Sequence, residues 1–496
     1  MKRKLLVSIT CFICTAMITA AQNNKRTVQL FETSAGGNQL SPVNQTADSA
    51  NAISIVLKPE QRFQTITGFG GSFTEASAYL LNKLSKPNRD KILKAYFSNE
   101  GAAYSLTRTH INSCDFSLGN YGYAMKPGDK DLDSFSIAHD KAALIPMIKD
   151  AMKISKDGFK IIASPWTAPP WMKDNNDWRG GKLLPEYNET WALYFEKYIR
   201  TYQKEGINIW GITVENEPLG NDKNWESMHF TPEEMTAFVK DYLGPHFEKA
   251  GLSHIPILGY DQNRGGELEK WANVMYANEQ SSNYFGGMAV HWYASTYDFF
   301  PASLQHTHQL APKKYLINTE ACIDADVPHW KDDSWYWSKD ATDWGWDWAS
   351  EKEKYLHPKY VPVFRYARDI IGCLNNYVDG WIDWNMVLNK QGGPNWFKNW
   401  CTAPVIVNEE EDEVYFTPLY YTIAHFSKFI RPGAVRIGFE TSDASLPITA
   451  AQNPDGSVAV IVFNPNDSQK TFSISLNKQT VNAVISAKAI QTIIIK

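Results

Sequence analysis

The stretch from residue 66 to residue 385 alternates apolar runs with helical stretches, and it does so eight times. Each run is rich in β-branched residues and ends in polar or aromatic ones, which is typical of strands in a parallel sheet. Eight strand–helix units predict a (β/α)8 barrel, the TIM barrel, and hence the α/β class. The predicted strands lie at 64–74, 104–116, 160–169, 209–218, 255–263, 287–295, 314–322 and 378–386.

The segments between these runs have the spacing of helices. In residues 188–206, Trp191, Tyr194 and Tyr198 recur at intervals of three and four positions, which is the period of one helix face. Residues 231–251 show the same spacing. The sequence therefore predicts helices between the barrel strands.

Polar side chains stand at the ends of the apolar runs, where burial without a partner would be costly. In a TIM barrel the C-terminal ends of all strands meet at one mouth, and this mouth holds the active site. The barrel therefore explains these polar residues by bringing them together. They are Asp115, Trp166, Asn216, Glu217, Asp261, Asn263, His291, Trp292, Tyr293, Glu320, Asp383, Trp384 and Asn385.

The C-terminal tail differs from the barrel region. From about residue 430 it is rich in strands, and residues 453–456 form a turn signal, Asn-Pro-Asp-Gly. We expect a small β-sandwich that is completed by strands from the other end of the chain. The predicted domains are a signal peptide at 1–21, N-terminal sandwich strands at 22–65, the catalytic barrel at 66–425 and the C-terminal β-sandwich at 426–496.

The first 21 residues have the pattern of a secretory signal peptide: three cations, an apolar run, and small residues around Ala21. No later apolar stretch approaches the roughly 20 residues that span a bilayer. We therefore expect an exported protein without a membrane span, in the periplasm, at the cell surface or outside the cell. Four cysteines in so long a chain do not make a disulfide scaffold, so buried thiols are expected at Cys114, Cys322, Cys373 and Cys401.

Composition excludes some classes of partner. The formal net charge is −5 and no basic block is present, so nucleic acid is not expected. The chain has 18 Trp, 24 Tyr and 24 Phe, and such rings suit the faces of sugars but also fill ordinary cores. There is no His-Glu-x-x-His and no spaced Cys/His set after the leader, so we expect neither a metal site nor another cofactor.

Two opposed carboxyl groups suffice to hydrolyse a glycosidic bond, one as proton donor and one as attacking group. Glu217 and Glu320 end the fourth and seventh predicted strands and are the candidate pair. Glu215 points to the same side as Glu217 if the strand stays regular. It would lie one layer deeper, and we expect a structural role for it.

Several ordered stretches resemble glycoside hydrolase family 30, and within it the glucosylceramidase branch. The resemblance extends from residue 68 to residue 496 and rests on SCDFS (113–117), ASPWTAPPW (163–171), ENEP (215–218), AVHWY (289–293), TEAC (319–322), DWN (383–385), GGPNW (392–396) and HFSKFI (425–430).

This resemblance implies a retaining mechanism, with Glu217 as acid/base and Glu320 as nucleophile. It also implies a barrel with a β-sandwich partner built from both chain ends. The glucose pocket that it implies contains Asp115, Trp166, Asn216, Trp384 and Asn395, with His291 and Tyr293 nearby.

Structural roles are the alternative for several of these residues. Asp115 could pair with a neighbouring cation, and Trp166 and Trp384 could fill the core. His291 could be a buried histidine that bonds near the nucleophile without touching sugar.

The connection at 324–355 is unusually long and rich in tryptophan, and it is expected over the barrel mouth. It contains Trp330, Trp335, Trp337, Trp344, Trp346 and Trp348. These rings lie among many Asp and Lys residues, a mixture that suits sugars better than lipid tails.

The sequence therefore predicts a retaining β-glucoside hydrolase whose partner is a carbohydrate or glycolipid substrate. The loop favours a β-glucan over glucosylceramide, and the resemblance, through other branches of the same family, implies β-1,6-glucan as the first candidate and a β-xyloside as a further alternative. A carbohydrate-binding protein on a barrel scaffold is the non-enzymatic alternative, and the pair of glutamates argues against it. The sequence makes no prediction of oligomeric state.

Overall fold

The computed structural model describes residues 27–46, 52–325, 330–345, 349–477 and 479–496. The predicted signal peptide lies outside these residues, as do Trp346 and Trp348 of the long connection. The strands that precede the barrel are β1 (Val28–Ser34), β2 (Ser41–Val43) and β3 (Ile53–Thr65).

The prediction of a TIM barrel is confirmed, because eight parallel strands in the described part of the chain close into a ring in chain order. Each strand pairs with the next, and the last pairs with the first. The barrel strands are β4 (Gly68–Phe73), β5 (Leu106–Ile111), β6 (Lys160–Pro165), β7 (Gly211–Thr213), β8 (Ile257–Asn263), β9 (Phe285–His291), β10 (Tyr315–Glu320) and β11 (Gly380–Asn385).

Helices cover the outside of the barrel and connect its strands. None that the structure describes is long and apolar enough to cross a membrane. The helices are α1 (Glu75–Lys83), α2 (Lys86–Phe97), α3 (Leu144–Ile154), α4 (Asn188–Lys204), α5 (Pro232–Phe238), α6 (Gly244–Lys249), α7 (Gly266–Met275), α8 (Glu279–Tyr284), α9 (Pro301–Leu310), α10 (Pro362–Asn375) and α11 (Pro418–Ser427).

A layer of apolar side chains closes the inside of the barrel below the mouth. Its members come from different strands and include Leu106, Ile162, Leu258, Ala289, Ile317 and Ile382. Side chains alternate along a strand, so Arg108 is on the same inward face as Leu106, one layer nearer the mouth. Gly70 is required beside this layer, because a Cβ there would lie 1.9 Å from the Leu106 carbonyl oxygen.

Beyond the barrel strands the chain forms a small three-stranded sheet among its described residues. Its strands are β12 (Val387–Asn389), β13 (Val405–Asn408) and β14 (Glu413–Phe416). Helix α11 follows and ends at Ser427. The boundary between barrel and sandwich that is expected at 425/426 therefore falls inside this helix, and the sandwich begins after it.

The sandwich uses both ends of the chain, as predicted. Its C-terminal strands are β15 (Val435–Thr441), β16 (Ile448–Gln452), β17 (Val458–Asn464), β18 (Lys470–Leu476), β19 (Gln479–Ile485) and β20 (Ala489–Ile495). Within the described ranges they join the N-terminal strands in one nine-stranded sheet of order β19-β18-β3-β15-β16-β17-β20-β1-β2.

This sheet folds over on itself around one apolar core. Leu30 on β1, Ile55 on β3 and Ile474 on β18 all belong to the same buried cluster. The Gln491 side chain on β20 donates a hydrogen bond to the Val484 carbonyl on β19 at 3.0 Å, although these strands are far apart in the sheet order. The two flanks of the sheet are therefore the two layers of the sandwich.

One buried histidine joins the barrel to the sandwich. His425 on α11 contacts the Thr33 hydroxyl on β1 at 2.9 Å and the Thr492 hydroxyl on β20 at 2.8 Å. Burial lowers the pKa of His425 to about 3, because the charged ring is poorly solvated there. The ring is therefore neutral in the folded protein near neutral pH.

This histidine should make the fold sensitive to acid. Below about pH 6.5 the unfolded chain binds a proton at His425 and the folded chain does not, so stability falls with pH down to about 3. In His425→Gln, the free energy of unfolding measured by urea between pH 6 and pH 4 should depend less steeply on pH, by up to about 1.4 kcal/mol per pH unit. His254→Gln, at an exposed position, is the control, and equal slopes for the wild type and His425→Gln would contradict the prediction.

Candidate active site

A fully buried arginine lies at the centre of the barrel mouth. Arg108 on β5 donates from Nη1 to Glu320 Oε2 at 2.5 Å and from Nη2 to Asp261 Oδ2 at 2.8 Å. It also donates to Asn216 Oδ1 at 2.7 Å and to Ser164 Oγ at 2.9 Å. A buried guanidinium is stable only when its donors are paired, and here four side chains from different strands or strand ends pair with it.

Glu320 is the last residue of β10 and is held through both carboxylate oxygens. Arg108 donates to Oε2, and the Tyr293 hydroxyl donates to Oε1 at 3.0 Å. Burial raises the pKa of the Glu320 carboxyl, while the positive charges of His291 and Arg108 oppose this rise. The carboxylate is therefore fixed in orientation, with its charge balanced by two cations.

Glu217 lies four residues beyond the end of β7, in the left-handed region with φ +48°. Its Oε1 lies 3.1 Å from His291 Nδ1. The predicted regular strand over 209–218 is therefore wrong at its end. The turn brings the Glu217 side chain, 24% exposed, to the cavity.

His291 links Glu217 to Asp261. Its Nε2 lies 3.0 Å from Asp261 Oδ1. Burial alone would lower the pKa of His291, but Glu320 and Asp261 outweigh burial and raise it to about 9. Burial would likewise raise the pKa of Asp261, yet Arg108 and His291 hold it well below its usual range. The His291 ring is therefore a cation at neutral pH.

The two candidate carboxyl groups face each other across a short gap. One carboxylate oxygen of Glu217, one of Glu320 and a ring nitrogen of His291 all lie within 4.8 Å of one another. The predicted pair is therefore brought together, although three strand–helix units separate the two residues in sequence.

Two stacked tryptophans form the wall of the site beside Arg108. The rings of Trp166 and Trp384 lie 5.2 Å apart with an interplanar angle of 22°. Arg108 Cζ lies 4.8 Å from the Trp166 ring centroid and 5.6 Å from that of Trp384. Cation–π contacts of this kind hold the rings in place.

Asp115 lies at the edge of these groups and accepts a hydrogen bond from Asn399 Nδ2 at 3.1 Å. Burial raises the pKa of the Asp115 carboxyl well above its usual range, and the nearby charge of Glu320 adds to this effect. It is not paired with Arg108, so the alternative of a simple ion pair with that cation is not what the structure shows.

A cavity of about 630 Å³ opens above these side chains. This volume is within the usual range for small-molecule sites. The lining combines carboxylates, amides and aromatic rings, and consists of Asp115, Trp166, Asn216, Glu217, Asn224, Trp225, Asn263, Tyr293, Glu320, Asp324, Trp344, Trp384, Asn399, Trp400 and Cys401.

Two of the sequence-predicted site residues, His291 and Asn395, do not line the cavity, and Glu215 is buried as expected. His291 was expected near the sugar, but it is fully buried below the cavity, where both ring nitrogens face carboxylates. Asn395 does not line the cavity, because its side chain turns back to bond the backbone of Asn399. Glu215 is completely buried, and neither carboxylate oxygen finds a hydrogen-bond partner among the described residues. This depth agrees with the structural role expected for it.

Arg108 and Asn399 are the main residues that sequence reasoning missed. Arg108 had a signal, since a cation in the middle of the apolar run at 104–111 requires a buried anionic partner. Asn399 had none, because it lies in an irregular loop well beyond the last barrel strand.

Only part of the long connection reaches the cavity in the described residues. Trp344 lines it, with its ring centroid 6.1 Å from that of Tyr293. Trp330 instead packs edge-on against Tyr415, and Trp335 and Trp337 are 8% and 7% exposed. Of the tryptophans of the connection that the structure describes, Trp344 therefore lines the cavity, and Trp225 and Trp400 line it from other loops.

Removing the central cation should destabilise the whole barrel. In Arg108→Met, Asp261 and Glu320 lose a buried partner, so the free energy of unfolding should fall by about 3–5 kcal/mol. Arg89→Met removes a cation that pairs with Asp150 near the surface and should cost about 0–1 kcal/mol. Chemical denaturation of both variants measures the difference, and equal losses would contradict the central role of Arg108.

Comparisons with known proteins identify the family. The model of the "Glycosyl hydrolase family 30 TIM-barrel domain" matches residues 66–430, and that of the "Glycosyl hydrolase family 30 beta sandwich domain" matches residues 433–493. Lysosomal acid glucosylceramidase of Mus musculus is 35% identical over 442 residues, covering 87% of this chain and 81% of that protein.

Two solved structures have the same fold. The structure of SrfJ from Salmonella typhimurium is 31% identical with a TM-score of 0.81, over 94% of this chain and 99% of that one. The endo-beta1,6-glucanase BT3312 is 28% identical with a TM-score of 0.80, over 94% and 99% of the two chains. With matching models over both domains and two opposed glutamates at the barrel mouth, the chain belongs to glycoside hydrolase family 30 and is a glycoside hydrolase.

Proposed function

We propose that the protein is a retaining β-glucoside hydrolase that acts on a β-glucan, with β-1,6-linked glucan as the first candidate. The observation that carries the retaining mechanism is the short gap between Glu217 and Glu320, whose nearest oxygens lie within 4.8 Å. Retaining glycosidases place their carboxyl groups about 5–5.5 Å apart, whereas inverting enzymes leave about 6.5–9.5 Å for a water molecule.

In the first step the Glu320 carboxylate attacks the anomeric carbon while Glu217 gives a proton to the departing glycosidic oxygen. In the second step Glu217 takes a proton from water, the water oxygen attacks the same carbon, and the bond to Glu320 breaks. Arg108 and Tyr293 orient the nucleophile, because each donates to a different oxygen of Glu320. His291 orients the acid/base through its contact with Glu217.

The glucosyl unit is expected against the wall formed by Trp166 and Trp384. An aromatic face suits the apolar face of a sugar ring. The polar rim of the ring would meet Asp115, Asn216 and Asn399, which line the same cavity, and Asn399 donates to Asp115. This arrangement supports a pocket for one sugar beside the pair of glutamates.

We assign the remaining lining residues, called here the outer cavity, to a saccharide on the leaving side. Trp225, Trp344 and Trp400 contribute rings to it, and Asn224 and Asp324 contribute polar groups. A ceramide would need a continuous apolar surface for its two chains, which this mixed lining does not offer. The endo-beta1,6-glucanase BT3312, with a TM-score of 0.80, points to the same class of substrate.

Glucosylceramide is the second candidate, because a protein named lysosomal acid glucosylceramidase is 35% identical to this chain. The two candidates share the glucosyl pocket and differ in what the outer cavity must bind. A substrate panel therefore separates them.

We expect the enzyme to hydrolyse β-1,6-linked gluco-oligosaccharides with a higher kcat/KM than glucosylceramide in detergent. In Trp344→Ala, kcat/KM for the oligosaccharide should fall by the equivalent of about 1–3 kcal/mol, by analogy with aromatic stacking on flat ligands. Hydrolysis of a small aryl β-glucoside should change little, because its leaving group does not extend to this ring. Trp330→Ala, in the same connection but off the cavity wall, is the matched control. Preferential hydrolysis of glucosylceramide, or of an aryl β-xyloside over the glucoside, would overturn the substrate assignment.

Glu320→Gln should abolish turnover and leave substrate binding largely intact, because the amide keeps the shape and loses the attacking charge. An activated fluoro-glucoside should label Glu320 in the wild type, as identified by peptide mass spectrometry. Glu215→Gln is the control, since Glu215 is also a buried carboxyl group but does not line the cavity. Labelling of any other carboxylate would contradict the assignment of the nucleophile.

Glu217→Ala should slow substrates with poor leaving groups most, because good leaving groups need no proton. Added azide should restore the rate on an activated aryl glucoside and yield the β-glucosyl azide, since it attacks the glycosyl-enzyme without a general base. Equal losses on good and poor leaving groups, without an azide product, would argue against Glu217 as acid/base.

A further inference from the structure

Two cysteines and an aspartate meet in the wall of the cavity, outside the hydrolytic pair. Cys322 Sγ lies 3.4 Å from Cys401 Sγ, and Asp324 Oδ1 lies 3.1 Å from the first sulfur and 3.3 Å from the second. Neither cysteine is bonded to the other in this structure. Three potential ligand atoms therefore occupy one small volume.

These distances are close to those of a metal site with thiolate ligands. Zinc–sulfur bonds of about 2.3 Å in a tetrahedral site place two sulfurs about 3.8 Å apart, and zinc–oxygen bonds of about 2.0 Å place oxygen about 3.5 Å from sulfur. The three atoms would need to separate by only a few tenths of an ångström to hold an ion of this size. Two sulfurs with one oxygen also match the preference of thiophilic cations.

The surroundings of the three residues support a site with one open position. Both cysteines are 2% exposed, so their sulfurs are protected from bulk water. Cys401 and Asp324 also line the cavity, from which an ion and a fourth ligand would enter. Cysteine binds such an ion as the thiolate, so binding would release protons.

We propose that Cys322, Cys401 and Asp324 form a binding site for a thiophilic cation such as Zn²⁺ or Cd²⁺, open on one side to the cavity. The site was not predicted from the sequence, because the two cysteines are 79 positions apart and no short ligand spacing marks them. The inference rests on this cluster and does not depend on the proposed substrate.

An ion in this site would lie beside the nucleophile. The Tyr293 hydroxyl is 3.4 Å from Cys322 Sγ and 3.0 Å from Glu320 Oε1. Binding of a cation would replace the neutral Cys322 thiol beside the Tyr293 hydroxyl with a metal-bound thiolate. The cluster therefore connects cation binding to the group that orients Glu320.

Cadmium is a suitable probe, because its bonds to thiolates absorb in the ultraviolet. The full chain carrying Cys11→Ser and Cys14→Ser, reduced and free of metal, should bind one Cd²⁺ per molecule in native mass spectrometry and develop this absorption on titration with CdCl₂. X-ray absorption at the cadmium edge should count two sulfur neighbours. In the same background, Cys401→Ser and Asp324→Asn should each weaken Cd²⁺ binding at least about tenfold.

Cys373→Ser is the matched control, since Cys373 is equally buried and far from the cluster, where it contacts Arg264 and Asp369. It should retain the cadmium signal. The proposal is overturned if the Cys11→Ser, Cys14→Ser chain develops no ultraviolet absorption with Cd²⁺, or if cadmium has fewer than two sulfur neighbours. It is overturned as well if Cys373→Ser loses the absorption as Cys401→Ser does. It is also overturned if the purified chain is lighter by two hydrogen atoms and carries a Cys322–Cys401 disulfide that excludes the ion. The count of sulfur neighbours needs no variant of the cluster, so a failure of Cys401→Ser to fold leaves the test intact.

Discussion

The buried charge of Arg108 is the constraint on which the barrel mouth depends. A guanidinium with no exposure must have its donors paired, and its partners Asp261, Asn216 and Glu320 come from three separate strand ends. His291 supplies a second cation on the far side of Asp261. Two cations thus lie among three carboxylates, and this alternation fixes the positions of Glu217 and Glu320 before any substrate enters.

The residues that position the two glutamates are separate from the residues that line the cavity. Arg108, Asp261 and His291 are fully buried, and Asp261 contacts both of the others. The cavity wall above them is built from aromatic rings and amides at strand ends and on the loops that follow, and these loops differ in length. In a TIM barrel such loops change the substrate without disturbing the strands. This separation is consistent with the names of the relatives, one of which refers to a glycolipid and another to a glucan.

The sequence predicted the elements that are marked by a repeating hydrophobic pattern or by polar residues at the end of a predicted strand. Eight apolar runs gave the barrel, and strand-end carboxylates gave Glu217 and Glu320. It missed the tertiary contacts between residues that are far apart in the sequence. Asn399 lies on an irregular loop, and no local pattern marks either this residue or the contact between Cys322 and Cys401. Glu217 does not have the strand geometry that the sequence predicts, because β7 ends at Thr213 and Glu217 itself has a left-handed backbone conformation.

The sandwich built from both chain ends has a consequence for the order of folding. Strand β20 lies between β17 and β1 in the interior of the sheet, although the whole barrel separates it from β1 in the sequence. Strand β1 therefore cannot pair with β20, nor β3 with β15 and β18, until the barrel between them has been synthesised. Such long-range pairing slows folding and exposes strand edges in the meantime. Loss of the seven residues of β20, Ala489–Ile495, would remove an interior strand of the sheet rather than a tail.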